Sequence, residues 1–365
     1  MISTLGLLAC ATQALAGTVR TEVVVSGLQN PWAVAFIGEG RMLVTERPGR
    51  MRVVEADGKV GEPLAGVPEV DAVGQGGLLD LVTDRDFARN RTLYFCFAEP
   101  GMMGMRNSTA MASARLSADA RSLESVKVIF SQQPKVSSRL HFGCRIAQAA
   151  DGSLFLALGD RFQRMADAQT LDNHHGKVVR VRPDGSVPSD NPFVGREGAL
   201  PEIWSLGHRN LQGATLGPDG RLWTIEHGPQ GGDELNRTDA GKNYGWPVIT
   251  YGENYGGGKI GAGITAQDGM EQPLLHWTPS IAPSGMAFVT SARYGADWQG
   301  SLLVGSLKFR YLARLVLEDG KVVREEKLLP DLGQRVRDVR EGPDGYVYLV
   351  TDDRNGQLLR LRPAD

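Results

Sequence analysis

Two arginines in the segment QRVRDV, residues 334–339, have a spacing that suits the binding of an anion. Arg335 and Arg337 are two positions apart, so in a strand both guanidinium groups lie on one face. Two cations held that close repel each other, and something must offset the repulsion. Solvent around an exposed strand would do so, and so would an anionic ligand lying across the face. The segment alone leaves both interpretations open.

Several other segments carry polar side chains that a solvated turn does not require. They contribute Gln75 in GQGGLLDL, His141 in SSRLHFGCRI, Asp160 in LGDRF, Arg209 and Asn210 in SLGHRNLQG, and Lys308 in GSLKFRYL. Histidine can act as a general base near neutral pH, and arginine or lysine can stabilise negative charge. Taken singly, each of these residues has an ordinary explanation as a surface turn residue or an exposed cation.

The segment EHGPQGGDELN is a glycine-rich loop with acidic residues at both ends. The carbonyl groups of Gly228 and Pro229 in this loop are able to face a hard cation such as calcium, which prefers oxygen ligands. A solvated acidic loop is the plainer interpretation of this segment by itself.

A repeated strand pattern must position these loops. A turn precedes a short run rich in Val, Leu, Tyr, Phe or Thr six times, in EGRMLVTE, RNRTLYFCF, DGSLFLALGD, DGRLWTIE, QGSLLVGS and DGYVYLVTD. Such runs, bounded by turn residues, are typical of β-strands. Four of the six are followed by a second strand-like run, and no long stretch shows the apolar period of a helix.

Six copies of this pattern predict an all-β fold, a six-bladed β-propeller with four-stranded antiparallel blades. A two-sheet sandwich is the structural alternative, but it would need far fewer strands. In a propeller the loops of every blade converge at one end of the central channel, so residues distant in sequence can form one site. We therefore expect the polar loops to meet at one end of the channel.

The composition and the N-terminus bear on location and partners. A formal net charge of -2 over 365 residues gives no general attraction to nucleic acid or to an anionic membrane, and we expect neither partner. Residues 1–16 contain an apolar run too short to span a bilayer, ending in an A-x-A pattern, and they predict a signal peptide. A lipid anchor at Cys10 and a disordered terminus are alternatives. We expect residues 17–365 to form a single propeller domain that is periplasmic or secreted.

Taken in order, the motifs resemble those of the soluble quinoprotein glucose/sorbosone dehydrogenases, and most closely their aldose sugar dehydrogenase branch. The series runs through Q-G-G, H-x-G-x-R, G-D, G-H-R-N-x-Q-G, D-E-x-N, N-Y-G-W-P, W-x-P-x-x-A-P, S-L-K and R-x-R-D-V. GHRNLQG and NYGWP are its most specific elements. The resemblance extends from GLQNPWAVAF to LLRLRP and so covers nearly all of the chain after residue 16.

Members of that family bind pyrroloquinoline quinone (PQQ) with calcium and oxidise the anomeric hydroxyl of aldoses to lactones. The resemblance implies that His141 is the general base while hydride passes from the sugar C1 to the quinone C5. Asp160 would orient His141, and Gln75 would line the same pocket. Arg209 would stabilise negative charge on the quinone oxygen, and Asn210 would bind the cofactor beside it.

The same resemblance implies a set of cofactor ligands. Lys308, Arg335 and Arg337 would bind the three carboxylates of PQQ, which would explain the paired arginines. The carbonyls of Gly228 and Pro229 would bind calcium, and Trp277 would flank the quinone ring. The physiological sugar, the electron acceptor and the choice between monomer and dimer are left open.

The chain departs from the family pattern at one position. Where the family usually has H-x-G-G-R, this sequence places Cys144 before Arg145. If that position has a positive φ, Cys144 is strained there, and a free thiol near an electrophilic quinone would be able to react with it. The sequence does not decide whether Cys144 pairs with Cys96.

Two other functions compete with the dehydrogenase. A metal-dependent lactonase on a similar propeller would need side-chain carboxylates around a central metal, and three cations there would be unfavourable. A non-catalytic propeller that binds a glycan or a protein would have no reason to keep a histidine, an aspartate and four basic residues in the loops at one end. The dehydrogenase is therefore the favoured hypothesis.

Overall fold

A computed structural model describes residues 19–101 and 104–364. They form six four-stranded antiparallel sheets. Blade 1 contains β2 (Pro31–Gly38), β3 (Arg41–Glu46), β4 (Arg50–Val54) and β5 (Val60–Pro63); blade 2 contains β6 (Leu78–Thr83), β7 (Thr92–Pro100), β8 (Asn107–Leu116) and β9 (Leu123–Ser131); blade 3 contains β10 (Gly143–Gln148), β11 (Leu154–Leu158), β12 (Lys177–Val181) and β13 (Ile203–Leu206).

The remaining strands complete the ring. Blade 4 contains β14 (Leu211–Leu216), β15 (Leu222–Glu226), β16 (Asp233–Arg237) and β17 (Leu275–Trp277); blade 5 contains β18 (Pro283–Phe288), β19 (Leu302–Ser306), β20 (Leu312–Glu318) and β21 (Lys321–Leu328); blade 6 contains β22 (Val336–Glu341), β23 (Val347–Thr351), β24 (Gly356–Pro363) and β1 (Val19–Leu28). One short helix, α1 (Phe87–Asn90), and two 3-10 turns (Met165–Gln169 and Ala292–Tyr294) lie in the connections.

The first strand of each blade is the innermost one, and these strands contact one another in the order β2, β6, β10, β14, β18, β22 and back to β2. The predicted six-bladed propeller with four-stranded antiparallel blades is therefore confirmed. In blade 6 the outermost strand is β1, which pairs antiparallel with β24 and so joins the two ends of the described chain.

The six repeated segments of the sequence are the second strands of the blades: β3, β7, β11, β15, β19 and β23. These strands are sandwiched between neighbouring blades, and β11, β15, β19 and β23 are buried at every position. Burial on both faces explains why they are nearly continuous apolar runs and show no strict alternation of apolar and polar residues.

A buried ion cluster ties the innermost strands together. The guanidinium of Arg145 on β10 lies 2.6 Å from Asp338 on β22 and 3.3 Å from Asp80 on β6. Arg340 contacts the same two carboxylates, and the backbone N–H of Val34 on β2 donates to Asp338. Because Arg145 also donates to the carbonyl of Arg337, the cluster fixes the backbone of the predicted anion-binding strand.

Cys96 on β7 and Cys144 on β10 form a disulfide, which answers the question left open by the sequence. Both residues are fully buried between blades 2 and 3. Cys144 has a φ of +79°, so the positive φ considered for this position is present. Its sulfur is bonded to Cys96, however, and is not a free thiol. The disulfide therefore removes the basis for a reaction between Cys144 and a quinone.

The expected signal peptide lies outside the described residues. Within residues 19–101 and 104–364, no helix has both the length and the apolar character needed to cross a membrane.

Candidate active site

A cavity of about 220 Å³ opens among the loops of the innermost strands. Its lining includes Trp32, Arg47, Gln75, Asn210, His227, Arg335, Arg337 and Asp352. Four predicted site residues, Gln75, Asn210, Arg335 and Arg337, therefore come together from blades 2, 4 and 6. Convergence of the blade loops at one end of the channel explains why these four residues line one cavity.

His141 and Asp160 form a buried pair at the edge of this cavity. The imidazole Nδ1 of His141 lies 2.7 Å from Oδ1 of Asp160, and a carboxylate can only accept, so Nδ1 carries the proton and donates it. The Nε2 atom of His141 is then left with a free lone pair. Gln75 accepts a hydrogen bond from the backbone N–H of His141 at 2.8 Å, which joins the pair to the cavity lining.

The backbone around this pair takes conformations that are uncommon for residues other than glycine. His141, Arg161 and Phe162 have φ values of +51°, +58° and +66°. Because of the reversal at Arg161 and Phe162, the N–H of Phe162 donates to Oδ1 of Asp160 at 2.8 Å, and the ring of Phe162 meets the imidazole edge-on with centroids 5.2 Å apart. Such strain is concentrated at functional sites in proteins.

Burial lowers the pKa of His141 below its ordinary value. Asp160 opposes this shift through its hydrogen bond and negative charge, whereas the positive charges of Arg209 and Arg161 add to it. Burial also lowers the pKa of His227 in the cavity lining, to about 3. Both imidazoles are therefore neutral at neutral pH, and His141 is in the protonation state that a general base requires.

Arg209 lies between the histidine pair and the glycine-rich loop. Its guanidinium Nη1 donates to the carbonyl of Gly228 at 2.7 Å and to that of His227 at 3.1 Å. Its backbone carbonyl accepts from the N–H of Asp160, and Asn210 accepts from the N–H of Gly143. The GHRN motif thus places Arg209 against the glycine-rich loop and Asn210 against the start of the strand that follows His141.

The predicted calcium loop is shaped by Asp233 and by the absence of a side chain at Gly228. Asp233 accepts hydrogen bonds from the backbone N–H of Gly228 at 2.9 Å and from those of Ile281 and Ala282. A Cβ atom at Gly228 would lie 2.2 Å from the carbonyl oxygens of Gly231 and Gly232, so only glycine fits there.

Backbone oxygens are the available cation ligands in this loop. Throughout the described ranges, no group of three or more His, Cys, Asp or Glu side chains is arranged to hold a metal. Calcium accepts carbonyl ligands readily, so the carbonyls of Gly228 and Pro229 would suit this ion better than a softer metal.

The two arginines of QRVRDV meet one carboxylate. Both guanidinium groups lie 3.0 Å from the same Oδ2 atom of Asp352. Burial would raise the pKa of Asp352, but attraction to Arg337 and Arg335 outweighs it and lowers the value to about 2. Arg47 adds a third cation to the cavity, and Nε of Arg337 is buried without a hydrogen-bond partner. Three cations with one anion, and an unsatisfied donor, fit a polyanionic cofactor such as PQQ.

Lys308 and Trp277 lie away from that cavity. Lys308 lines a neighbouring groove of about 820 Å³ together with Pro229, Tyr251 and Tyr255. Trp277 is buried in the hydrophobic cluster of blades 4 and 5, where its indole N–H donates to Glu325 at 3.1 Å. The structure therefore does not bring Trp277 to the cavity, and the tryptophan that lines it is Trp32.

Sequence reasoning missed five residues of the site: Trp32, Arg47, His227 and Asp352 in the cavity lining, and Trp246, whose indole N–H donates to Asp160. Asp352 follows the strand run of the last repeat in the way that Asp160 follows the run in LALGD, so the repeat itself contained a usable signal. Trp246 belongs to NYGWP, a motif that indicates the family resemblance but does not by itself indicate a contact with Asp160. No local pattern marks Trp32 or Arg47.

Known proteins resemble this chain in sequence and in fold. Residues 28–360 match the glucose/sorbosone dehydrogenase family. An aldose sugar dehydrogenase of Escherichia coli (strain K12), YliI, is 44% identical over 363 residues, which are 98% of this chain and 96% of that protein.

Two solved structures extend the likeness. The apo-form of the soluble aldose sugar dehydrogenase from Escherichia coli superposes with a TM-score of 0.91 at 44% identity, covering 95% of this chain and 100% of that one. The PQQ-bound form of an aldose sugar dehydrogenase from Streptomyces coelicolor superposes with a TM-score of 0.78 at 27% identity, covering 95% of this chain and 98% of that one.

Proposed function

Because this chain belongs to the glucose/sorbosone dehydrogenase family, we propose that it oxidises the anomeric C1 hydroxyl of aldose sugars to lactones, using PQQ and calcium. The observation that carries the proposal is the buried His141–Asp160 pair at the edge of a cavity with an excess of cations. When bound, PQQ supplies the acceptor for the hydride that leaves C1.

His141 is the general base of the proposed reaction. Its Nε2 atom takes the proton of the C1 hydroxyl, while its Nδ1–H remains bonded to Asp160. Asp160 holds the ring in this tautomer and stabilises the imidazolium once it forms. Gln75 fixes the backbone at His141 and lines the sugar pocket.

The remaining residues hold the cofactor. Arg335 and Arg337, with Arg47 beside them, bind its carboxylates, and Lys308 contributes from the adjoining groove. Arg209 and Asn210 also bind the cofactor, and Arg209 stabilises negative charge. The carbonyls of Gly228 and Pro229 are the proposed calcium ligands. We assign no ring contact to Trp277, since its indole is buried in the core.

The proposal includes a location and partners. We propose that residues 1–16 direct export and are removed, that residues 17–365 form one domain, and that the protein works in the periplasm or outside the cell. Its substrates are then an aldose sugar and a separate electron acceptor, which reoxidises the enzyme.

Reconstitution of the chain from Gly17 onward tests this function. The protein is mixed with PQQ, with and without calcium, and aldose-dependent reduction of an artificial dye is followed. Activity that needs both additions is the expected result, and a His141→Gln variant should bind PQQ but turn over at least a hundredfold more slowly. If neither PQQ binding nor aldose-dependent dye reduction occurs with the wild-type protein, the proposal is wrong.

A further inference from the structure

Trp246 contacts two of the residues assigned to the reaction. Its indole Nε1 donates a hydrogen bond to Oδ2 of Asp160 at 2.8 Å. The ring also lies against the Arg209 guanidinium, with the Cζ atom 5.3 Å from the ring centroid. The side chain is buried, at 8% exposure. One indole thus connects the aspartate of the histidine pair with the arginine on the cofactor side.

Trp246 is itself held firmly. Its carbonyl accepts from the Gln169 side chain at 2.8 Å, and its backbone N–H donates to the carbonyl of Gly207 at 2.9 Å. The amides of Gln169 and Asn243 exchange two hydrogen bonds, at 2.8 and 3.1 Å. Ala168 and Ile260 pack against the indole. The loop carrying NYGWP therefore presents the indole N–H in one orientation.

The two oxygens of Asp160 have different partners. Oδ1 lies against the imidazole of His141 and the backbone N–H of Phe162. Within the described residues, Oδ2 accepts one hydrogen bond, from Trp246. That single bond opposes rotation of the carboxylate, and rotation would turn Oδ1 away from His141. A buried carboxylate oxygen left without a donor is also costly.

We propose that Trp246 is a positioning residue for the proposed reaction, which fixes the Asp160 carboxylate for His141 and supports the Arg209 guanidinium through its ring face. This inference rests on the proposed function for its kinetic consequences only. The geometry that carries it, a donor on one carboxylate oxygen and an imidazole on the other, can be tested in the protein without cofactor.

The indole N–H has an electrostatic effect besides a geometric one. It withdraws part of the negative charge of Asp160, and so weakens the stabilisation that Asp160 gives to a protonated His141. The other charged groups facing His141 are Arg209 and Arg161, and the nearby His227 is neutral near pH 7. Removing the N–H should raise the pKa of His141 as long as Asp160 keeps its hydrogen bond to the imidazole, whereas rotation of the carboxylate away from His141 would lower that pKa.

The test uses Trp246→Phe, which keeps an aromatic face toward Arg209 and removes only the N–H donor. In the cofactor-free protein, NMR titration of isotopically labelled histidine should show His141 protonating at a different pH from wild type, higher if Asp160 keeps its hydrogen bond and lower if the carboxylate rotates. In the reconstituted enzyme, kcat should fall about tenfold with KM for the sugar changed less than threefold, and the acid limb of the pH profile should move in the same direction as the His141 titration.

Trp204→Phe is the matched control, since the indole N–H of Trp204 likewise donates a hydrogen bond, to the backbone carbonyl of Thr238, but lies outside the site. It should change neither the His141 titration nor kcat. A Trp246→Phe protein with wild-type titration and wild-type kcat would overturn the inference. So would a loss of activity that merely follows a lower melting temperature while His141 titrates normally. Because the titration needs no PQQ, failure of the proposed function would be recognised separately.

Discussion

Arg337 donates a hydrogen bond to Oδ2 of Asp352 at 3.0 Å, and this contact is largely buried, with side-chain exposures of 11% and 18%. Arg335 reaches the same oxygen, also at 3.0 Å, but is 43% exposed. One carboxylate therefore offsets part of the repulsion between two guanidinium groups. The remaining positive charge, increased by Arg47, is available to a ligand in the cavity.

Arg337→Ala should weaken PQQ binding by about 10- to 100-fold, because it removes a buried charge-assisted partner worth about 1.5–3 kcal/mol. Arg335→Ala should weaken binding less, since its guanidinium is more exposed. Affinity is measured by equilibrium titration of the cofactor-free protein followed by absorbance. Arg221→Ala, at an exposed arginine distant from the cavity lining, is the control. Equal affinity in Arg337→Ala and the control would contradict the assignment.

Asp160→Asn should lower kcat and move the acid limb of activity to lower pH. Asp160 raises the pKa of His141 against the effect of burial, so loss of its charge lets that pKa fall further. The neutral base then persists to lower pH, although the imidazolium formed in the reaction is less stable. The pH dependence of kcat/KM measures the shift. A shift of the acid limb toward higher pH would contradict this account.

Wild-type stability should fall on acidification because of the buried imidazoles. The pKa values of His141, His175 and His227 are all lowered by burial. The unfolded chain then binds more protons than the native one below the ordinary histidine value of about 6.5. The free energy of unfolding should therefore decrease from about pH 6.5 downward, toward pH 3, where His227 also protonates in the native state. Urea titrations at several pH values test this, and His227→Gln should flatten the lower part of the curve.

Arg145→Met should lower the free energy of unfolding by about 3–5 kcal/mol, since it leaves Asp80 and Asp338 with less buried positive charge. The matched control is Arg115→Met, whose ion pair with Glu124 is exposed and should be worth under about 1 kcal/mol. Guanidinium chloride unfolding compares the two. Similar small losses in both variants would show that the ion cluster does not stabilise the ring.

Removal of the disulfide should reduce stability and leave the chemistry intact. The bond closes a loop with a sequence separation of 48, which corresponds to about 4 kcal/mol in the chain-entropy treatment. The double variant Cys96→Ser/Cys144→Gly removes both sulfur atoms of the disulfide. It also places a glycine, which tolerates a positive φ, at the position where φ is +79°. The melting temperature should fall, while the reconstituted kcat stays within about twofold of wild type. A large loss of kcat would place Cys144 in the reaction.

The sequence predicted the fold better than it predicted the positions of the side chains around the cavity. Six turn-and-strand runs sufficed for the propeller, because each second strand is buried between blades and keeps a strong apolar signal. The pairing of β1 with β24 left no local signal, since it joins segments more than 320 positions apart. Pairing across such a distance depends on closure of the whole ring.

The details of the site depend on side-chain directions that motifs do not specify. Trp277 begins the motif W-x-P-x-x-A-P, in which the backbone N–H of Ala282 donates to Asp233. Trp277 itself lies on β17, and its indole N–H donates to Glu325. Lys308 follows β19, but it lines the groove next to the arginine cavity. Trp246 acts at Asp160 from a loop 86 positions away in sequence. Only the three-dimensional packing reveals such a contact.

The pairing of β1 with β24 has a consequence for folding during synthesis of the chain. Residues 19–28 leave the ribosome early, but their partner strand, Gly356–Pro363, is made more than 300 residues later. Until then, β1 has no partner strand in its own sheet, and the ring stays open at blade 6. An unpaired strand edge invites aggregation. Gly356–Pro363 therefore completes the ring, and a nascent chain released before this strand is made should depend on chaperones to remain folding-competent.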